Sequence, residues 1–567
     1  MSFNSLGIGL SGALSSQNAL QTVGHNLSNM NTEGFNRQRT VLEARSPQTL
    51  GNLQFGRGVD MVQVERIHDQ FIQQSMRTAM TKDGQYEASY SAYREIEMLF
   101  NETEGMGLND SLTRFFDSWH DLANSPTDTS QEAASKRATV VQSAQNFITN
   151  VQGAQQYLED LQSQYTKRVG TMVDDINQQL NSLASLNTQI ARSAGMANPS
   201  HDLLDKRDNI LNKLAEHIDI SVDINPQGQA AVFFAGKTLV DRDHVSNLGH
   251  RITGEGSSKL TYLGPGGHTE DITRHTDGGK IASYMQMRDE VIPEYLDHVN
   301  ELSRSVIEEV NKIHSDGIAT NPFGAVSSQY AVENSRTPLN ENTPFKIQDG
   351  SFQLRVYDDN GDEFQTFEIH IEAEDSLRKI AMKLNDVDQG GNFNARITSD
   401  NQLEIRGNNN HTFALFNDTS NTLTALGLNT FFTGHDAKSM GINSYVADDT
   451  SRLATSFTGQ PGDNQNANRI AELRNQNVMM NDTMTINEYY NHFVNKVGLD
   501  VMVNGDAMES NKLILRQMEQ RRESISGVNE NEELTFMLKF QRSFEASSRF
   551  ITTVDRLLDN IVNRMGV

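Results

Sequence analysis

The chain has 567 residues, 36% of them hydrophobic, enough at about 150 residues per domain for three or four units with a core in each. Its 48 Lys and Arg against 74 Asp and Glu leave a net charge of -26, a balance that repels nucleic acid and anionic membranes. With no Cys, disulfides, thiolate metal sites and Cys nucleophiles are excluded together, and no run of about 18 apolar residues is present to cross a membrane.

The charge is uneven. Residues 1–59 carry four Arg against Glu33 and Glu43, and 530–567 carry five basic against six acidic residues, so both ends are near neutral and the middle is strongly acidic. Such ends suit close packing with copies or partners, and the acidic middle suits solubility. The first 30 residues hold no basic region followed by an unbroken apolar segment, so no Sec-type signal is expected.

In chain order, the N-terminal segment has two rows at seven-residue spacing: Leu6, Ala13, Leu20, Leu27, and Phe3, Leu10, Gln17, Gly24. These predict a helix with a thin seam. Gly7, Gly9 and Gly12 fit G-x-G-x-x-G, but six preceding residues cannot supply the strand that a dinucleotide site requires. The glycines read instead as small residues for close helix packing or a late helix start. A polar, turn-prone stretch covers 29–35, and Val59, Met61, Val62 and Val64 predict a strand.

Helical spacing over 67–99, 110–123 and 131–193 predicts a stack of long helices with Gln, Asn and Ser on the outer faces. Pro199 and Ser200 open a further helix to residue 218. Its His201, Asp202, Asp205 and Asp208 could bind metal or do acid–base work; the reading preferred is a solvated face with Asp202 paired to Lys206. Residues 220–275 predict a β-rich insertion, 279–314 a helix, and Gly317, Pro322, Gly324, Pro338 and Pro344 a linker.

A second β-rich unit covers 345–432. Phe352, Leu354 and Val356 alternate into Asp358–Gly361, and Phe364, Phe367, Ile369 and Ile371 continue beyond, as in a hairpin around an Asn-Gly turn. The acids at 358, 359 and 362 are thereby read as a turn rather than a calcium loop. Helices resume over 465–522. At the C-terminus Met537, Phe544, Ile551, Leu558, Met565 and Phe540, Ser547, Val554, Ile561 alternate three and four apart, a coiled-coil pattern. By periodicity alone, each terminal stripe either docks on its own globular body or meets another helix. There is no H-E-x-x-H, G-x-S-x-G or P-loop, and no catalytic constellation.

The segment Ser11-Gly12-Ala13-Leu14, Gln17, Ala19-Leu20, Asn26-Leu27-Ser28-Asn29, Asn31-Thr32, Gly34-Phe35, Arg37-Gln38 resembles the N-terminal signature of the bacterial flagellar axial family, the rod, hook and hook-associated proteins. Ser526-Gly527-Val528-Asn529, followed by Glu532-Glu533 and Phe540-Gln541, is similar to the C-terminal signature of that family's hook–filament junction members. Asn198-Pro199, Asp202 to Asp208 and Gly278-Gly279 agree, Phe35 stands where many relatives have Tyr, and the resemblance is weakest over 320–460.

The resemblance implies a mainly α, multidomain chain with β-rich insertions. Residues 1–60 and 525–567 would form an inner domain of paired coiled-coil helices; 61–315 with 465–524 a long-helix domain carrying the 220–275 insertion; and 316–464, around 345–432, an outer β-rich domain. It implies a structural protein with no enzymatic activity, cofactor or metal, forming the junction between hook and filament by self-assembly. Expected partners are copies of itself, the hook protein, a second junction protein or the filament, and an export chaperone, with neither nucleic acid nor membrane insertion. Export without a cleaved signal would place it outside the cell, on the flagellum. The residues expected to make subunit contacts are Phe3, Leu6, Leu10, Ala13, Leu20, Leu27, Met537, Phe540, Phe544, Ile551, Val554, Leu558, Ile561 and Met565. Competing readings are another axial protein, hook or distal rod, and a secreted adhesin or glycan-binding protein acting through 345–432.

Overall fold

The structure, a computed structural model, describes residues 2–50, 53–100, 107–124, 130–194, 200–253, 258–460 and 462–560, with only the backbone of 2, 3 and 50. Helix α1 (Ser2–Ser28) is followed by strands β1 (Gln38–Ala44), β2 (Gln48–Leu50), β3 (Leu53–Phe55) and β4 (Val59–Arg66). Next come α2 (Gln70–Phe100), α3 (Leu108–Ala123), α4 (Gln131–Ala194) and α5 (His201–His217). Beyond the first β insertion lie α6 (Gly279–Gln286) and α7 (Ile292–Asp316), and within the second β-rich region α8 (Leu377–Val387), α9 (Thr422–Leu426) and α10 (Ser444–Asp448). The chain closes with α11 (Gln465–Glu472), α12 (Ile486–Ser526) and α13 (Glu530–Asp559). It divides into two compact units, 1–92 with 163–289 and 502–567, and 93–162 with 290–501.

In the first unit, β1 pairs antiparallel with β4 from Gln38↔Arg66 to Ala44↔Val59, with a bulge at Val41/Leu42. β4 is the strand predicted at 59–64; its partner β1 has too few apolar positions to signal itself. The 220–275 insertion is a four-stranded antiparallel sheet (220–245) and a three-stranded one (247–271). Val232, Phe234, Val240, Leu248 and Leu260 pack with Val173, Ile176, Leu180 and Leu183 of α4 and Leu211 and Leu214 of α5. Asn177 of α4 exchanges two 2.8 Å hydrogen bonds with the Leu248 backbone, and buried Asn187 does the same with Ala230 at 2.9 Å. The insertion is thus tied to α4 by satisfied polar groups as well as by apolar contact.

The second unit has a core of aromatic rings around Trp119: Phe115, Phe431 and His314 lie within 6.5 Å of it, centroid to centroid. Its hairpin, Gly350–Tyr357 with Glu363–Ile371, turns where Asp358 accepts from the Asn360 and Asp362 amides, so that carboxylate is committed to the turn. Two expectations differ here. The segment 317–344 is not a linker: Ala325–Ser327 pairs with Leu403–Gly407, and Val326, Val332 and Leu339 are buried. Helix over 465–522 is interrupted at 473–485, where Met480, Asn481 and Asp482 all have positive φ (51°, 56°, 61°). Prolines and glycines mark breaks in helix without telling a solvent-exposed linker from irregular chain packed into a core.

Candidate assembly interface

The two ends of the chain meet. α1 and α13 pack along their lengths, and the row of α1 that α13 covers is built of small residues: Gly9, Gly12, Ser16, Ala19, Val23 and Asn26, three and four apart. A Cβ added at Gly12 would lie 2.8 Å from Ser547 Oγ, and Ser16 Oγ donates to Ser543 Oγ at 3.1 Å. This is close helix packing permitted by missing side chains. The other face of α1 rests on β1 and β4, with Ser11 Oγ accepting the Val59 amide at 3.2 Å and Thr40 bonded to Thr22 at 3.2 Å.

Of the residues expected to make subunit contacts, Ala13 and Val554 are buried; Leu6, Leu20, Leu27, Met537, Phe540, Ile551 and Leu558 are half-buried; and Leu10 (54% exposed) and Phe544 (37%) face outward. The side chain of Phe3, and Ile561 and Met565, lie outside the described residues. Leu14 on α1 and Leu534, Phe536, Leu538, Phe550 and Leu557 on α13 are likewise exposed. A substantial part of the apolar surface of the pair is therefore uncovered, an arrangement typical of an interaction surface.

The signature residues gather at one end of the pair. Asn26 makes a two-bond clip with the Gln38 backbone (2.8 and 3.0 Å) and donates to Glu533 Oε2 at 3.1 Å. Arg37 donates its backbone N–H to the Ser526 carbonyl at 2.8 Å, its Nε to Glu533 at 2.7 Å and its Nη1 to Glu532 at 2.8 Å. Glu533 is 1% exposed. α12 stops at Ser526 with the Gly527 amide on the Glu523 carbonyl, and Asn529 restarts the helix by capping the Asn531 and Glu532 amides. Glu530, Glu532 and Glu533 put negative charge in that first turn, where the helix dipole favours it. On the facing loop Asn29 closes α1 through the His25 carbonyl, Thr32 donates to Asn29, Phe35 stacks edge-on to His25 at 5.5 Å, and Gly34 turns with φ 75° against Asn209. Asn31 and Val528 line the cleft of about 680 Å³ between this loop and the 522–532 turn.

Behind the loop, α5 carries a buried charge network. Arg66 donates to Asp205 and Asp208 at 2.7 Å each, Arg207 donates to Asp208 at 2.6 Å, and Asn36 donates to Asp205 through its amide (3.1 Å) and side chain (2.7 Å). Burial pushes the Asp208 carboxyl up, but Arg207 and Arg66 together hold it below the ordinary carboxylate range. Asp202, farther out, accepts from Gln38 at 3.0 Å and faces His25 at 3.1 Å, rather than pairing with Lys206. The solvated face expected for this helix is therefore a docking face. Its partner Arg66 lies 139 residues earlier, beyond the reach of local spacing. Among the described residues no three His, Asp or Glu are placed to hold a metal ion, and no helix is long and apolar enough to cross a membrane.

Residues 93–326 match the family described as "Flagellar hook-associated protein FlgK helical domain", and 519–565 match "Flagellar basal body rod FlgEFG protein C-terminal". Flagellar hook-associated protein 1 of Bacillus subtilis (strain 168) is 26% identical over 98% of this chain and 97% of its own length. The protein of that name from Salmonella typhimurium is 25% identical over 98% of each. Among solved structures, the flagellar hook junction protein FlgK from Burkholderia pseudomallei aligns with a TM-score of 0.53 at 14% identity, over 80% of this chain and all of that one, a likeness of fold.

Proposed function

The chain belongs to the flagellar hook-associated protein 1 family, and we propose that its paired terminal helices are the surface through which copies assemble into the junction between hook and filament. It is a structural component of the flagellum. The observation that carries the assembly role is the uncovered apolar surface of α1 and α13: Leu10, Leu14, Leu538, Phe544 and Phe550 are each at least 37% exposed on a pair of helices already packed together. Single exposed side chains of this kind are ordinary; a row of them along both members of a helix pair marks a face that another subunit covers. A tube of identical subunits requires different faces to meet head to tail, which two helices with separate outer faces can supply.

In this reading 1–60 and 525–567 are the assembling domain, 61–315 with 465–524 the long-helix domain, and 316–464 the β-rich domain. The contacts run through Leu6, Leu10, Phe544 and their neighbours, beside the hook protein on one side and a second junction protein or the filament on the other. Export unfolded, with a chaperone and without a cleaved signal, completes it, and the assembled protein is extracellular.

The test is a strain lacking this chain, with flagella viewed by electron microscopy. Hooks without filaments are expected, restored by the wild-type chain. Hooks that still carry normal filaments would refute the assignment.

A further inference from the structure

The start of α2 faces a polar cavity of about 150 Å³ that the assembly surface does not use. Arg77 and Gln73, one helical turn apart, line it together with Arg207, Asp208 and, from the β insertion, Asp223. Arg77 keeps only 9% of its accessible surface, and its guanidinium hydrogen-bonds none of the described residues. Gln73 Oε1, which lines the same cavity, is buried without a partner as well. The acids nearby are already taken: Asp208 receives Arg66 and Arg207, Asp205 receives Arg66 and Asn36. Asp223 is exposed.

The carboxylate that acts on Arg77, Asp208, is already bonded to two other arginines, so the Arg77 charge is under-compensated, and arginine does not escape by losing its proton. The cavity holds several times the roughly 30 Å³ share of one water, and a guanidinium fork matches the geometry of oxyanions. The Gln73 carboxamide, turned about its last bond, would present its NH2 group to the same space. We propose that this cavity binds a small tetrahedral oxyanion of the phosphate or sulfate class, held by the Arg77 guanidinium and the Gln73 carboxamide. The bound anion sits between α2 and the edge of α5 at Arg207 and Asp208, which also lines the cavity.

The experiment is calorimetric titration of the full-length chain with inorganic phosphate, at ionic strength held constant with sodium chloride. Saturable one-site binding is expected, with a rise in unfolding temperature that chloride does not reproduce. Arg77→Gln should weaken binding by about tenfold or more, Arg77→Lys by less, and Asp223→Asn, which removes the exposed carboxylate, should strengthen it. A wild-type chain that takes up no phosphate at tens of millimolar overturns the proposal. So does a folded Arg77→Gln chain that binds phosphate as the wild type does.

Discussion

Gly9 of α1 lies so close to Ile551 of α13 that a Cβ built on the glycine would sit 2.7 Å from Ile551 Cγ1. Ile551 is β-branched, with little rotamer freedom to retreat, and Phe550 closes the other side at 3.0 Å.

The four glycines of α1 should therefore respond differently to the same substitution. Nothing lies within 4 Å of a Cβ at Gly7 or Gly24, so Gly7→Ala and Gly24→Ala should stabilise by up to about 1 kcal/mol through helix propensity. Gly9→Ala meets a fixed wall, and overpacking of about 1–3 kcal/mol outweighs that gain. Gly12→Ala should fall between, because the Ser547 hydroxyl it meets can rotate. Thermal unfolding of the four variants gives the order, and equal effects at Gly7 and Gly9 would contradict the close approach.

Two substitutions on α13 separate folding from assembly. Phe544 is 37% exposed, so Phe544→Asp should leave the chain folded while placing a charge in the proposed subunit contact. Ile551→Asp strikes the helix pair itself and should loosen α1 as well. Motility and circular dichroism together distinguish them: loss of motility with unchanged ellipticity is expected for Phe544→Asp only.

His314 makes the second unit sensitive to pH. It is fully buried, faces the Asn429 carbonyl through Nδ1 at 2.8 Å and accepts the Ala454 amide at Nε2 at 3.1 Å, so the neutral ring fits and the cation does not. Burial lowers its pKa to about 4, with the Asn429 carbonyl opposing. The unfolded chain takes up a proton near pH 6.5 and the folded chain only near 4. Stability should thus be full above about pH 6.5, fall by a few kcal/mol down to about pH 4, and then level off as far as this group is concerned. The one Trp, Trp119, lies edge-on to His314 at 6.3 Å and reports the transition by fluorescence. A His314→Gln chain with the same slope over that window would exclude this origin.

Arg66→Met removes one arm of the buried network and leaves Asp205 short of a counter-charge, a loss of about 3 kcal/mol or more at neutral pH. The folded-state pKa of Asp208 lies below its unfolded value, so its share of stability is present above about pH 4 and lost as pH falls through the folded value. The gap between wild type and variant should narrow in that acid range, as chemical denaturation at a series of pH values would register.

Where burial is built from large apolar side chains, the sequence displayed it. The Val, Ile and Leu spacing of 131–193 corresponds to α4 at Gln131–Ala194, and the Asp-Asn-Gly turn of the 350–371 hairpin was readable from its flanking alternation. The α1 seam was legible only in part: Gly9 and Gly12, read as small residues for close helix packing, do lie against α13, but the rest of the row was not readable. Apolar periodicity favours the Leu6, Leu20 and Leu27 row, whereas α13 covers the Gly9, Gly12, Ser16 and Ala19 row, whose small groups add little hydrophobicity. Their three-and-four spacing was the available signal. Asp205 and Asp208 looked solvated because acids three apart near a helix start usually are; only the fold brings Arg66 beneath them.

A groove lined by glycine, serine and alanine has few ridges of its own, so the height of one helix along the other is set where α13 fills its gaps: Ile551 at Gly9, and Ser543 bonded to Ser16. A polar cluster at one end, where Glu533 sits between Asn26 and Arg37, adds a third stop. The pair works like a rail with three detents. A step of one helical turn, about 5.4 Å, would give up all three at once, so slippage of the pair would be all or none.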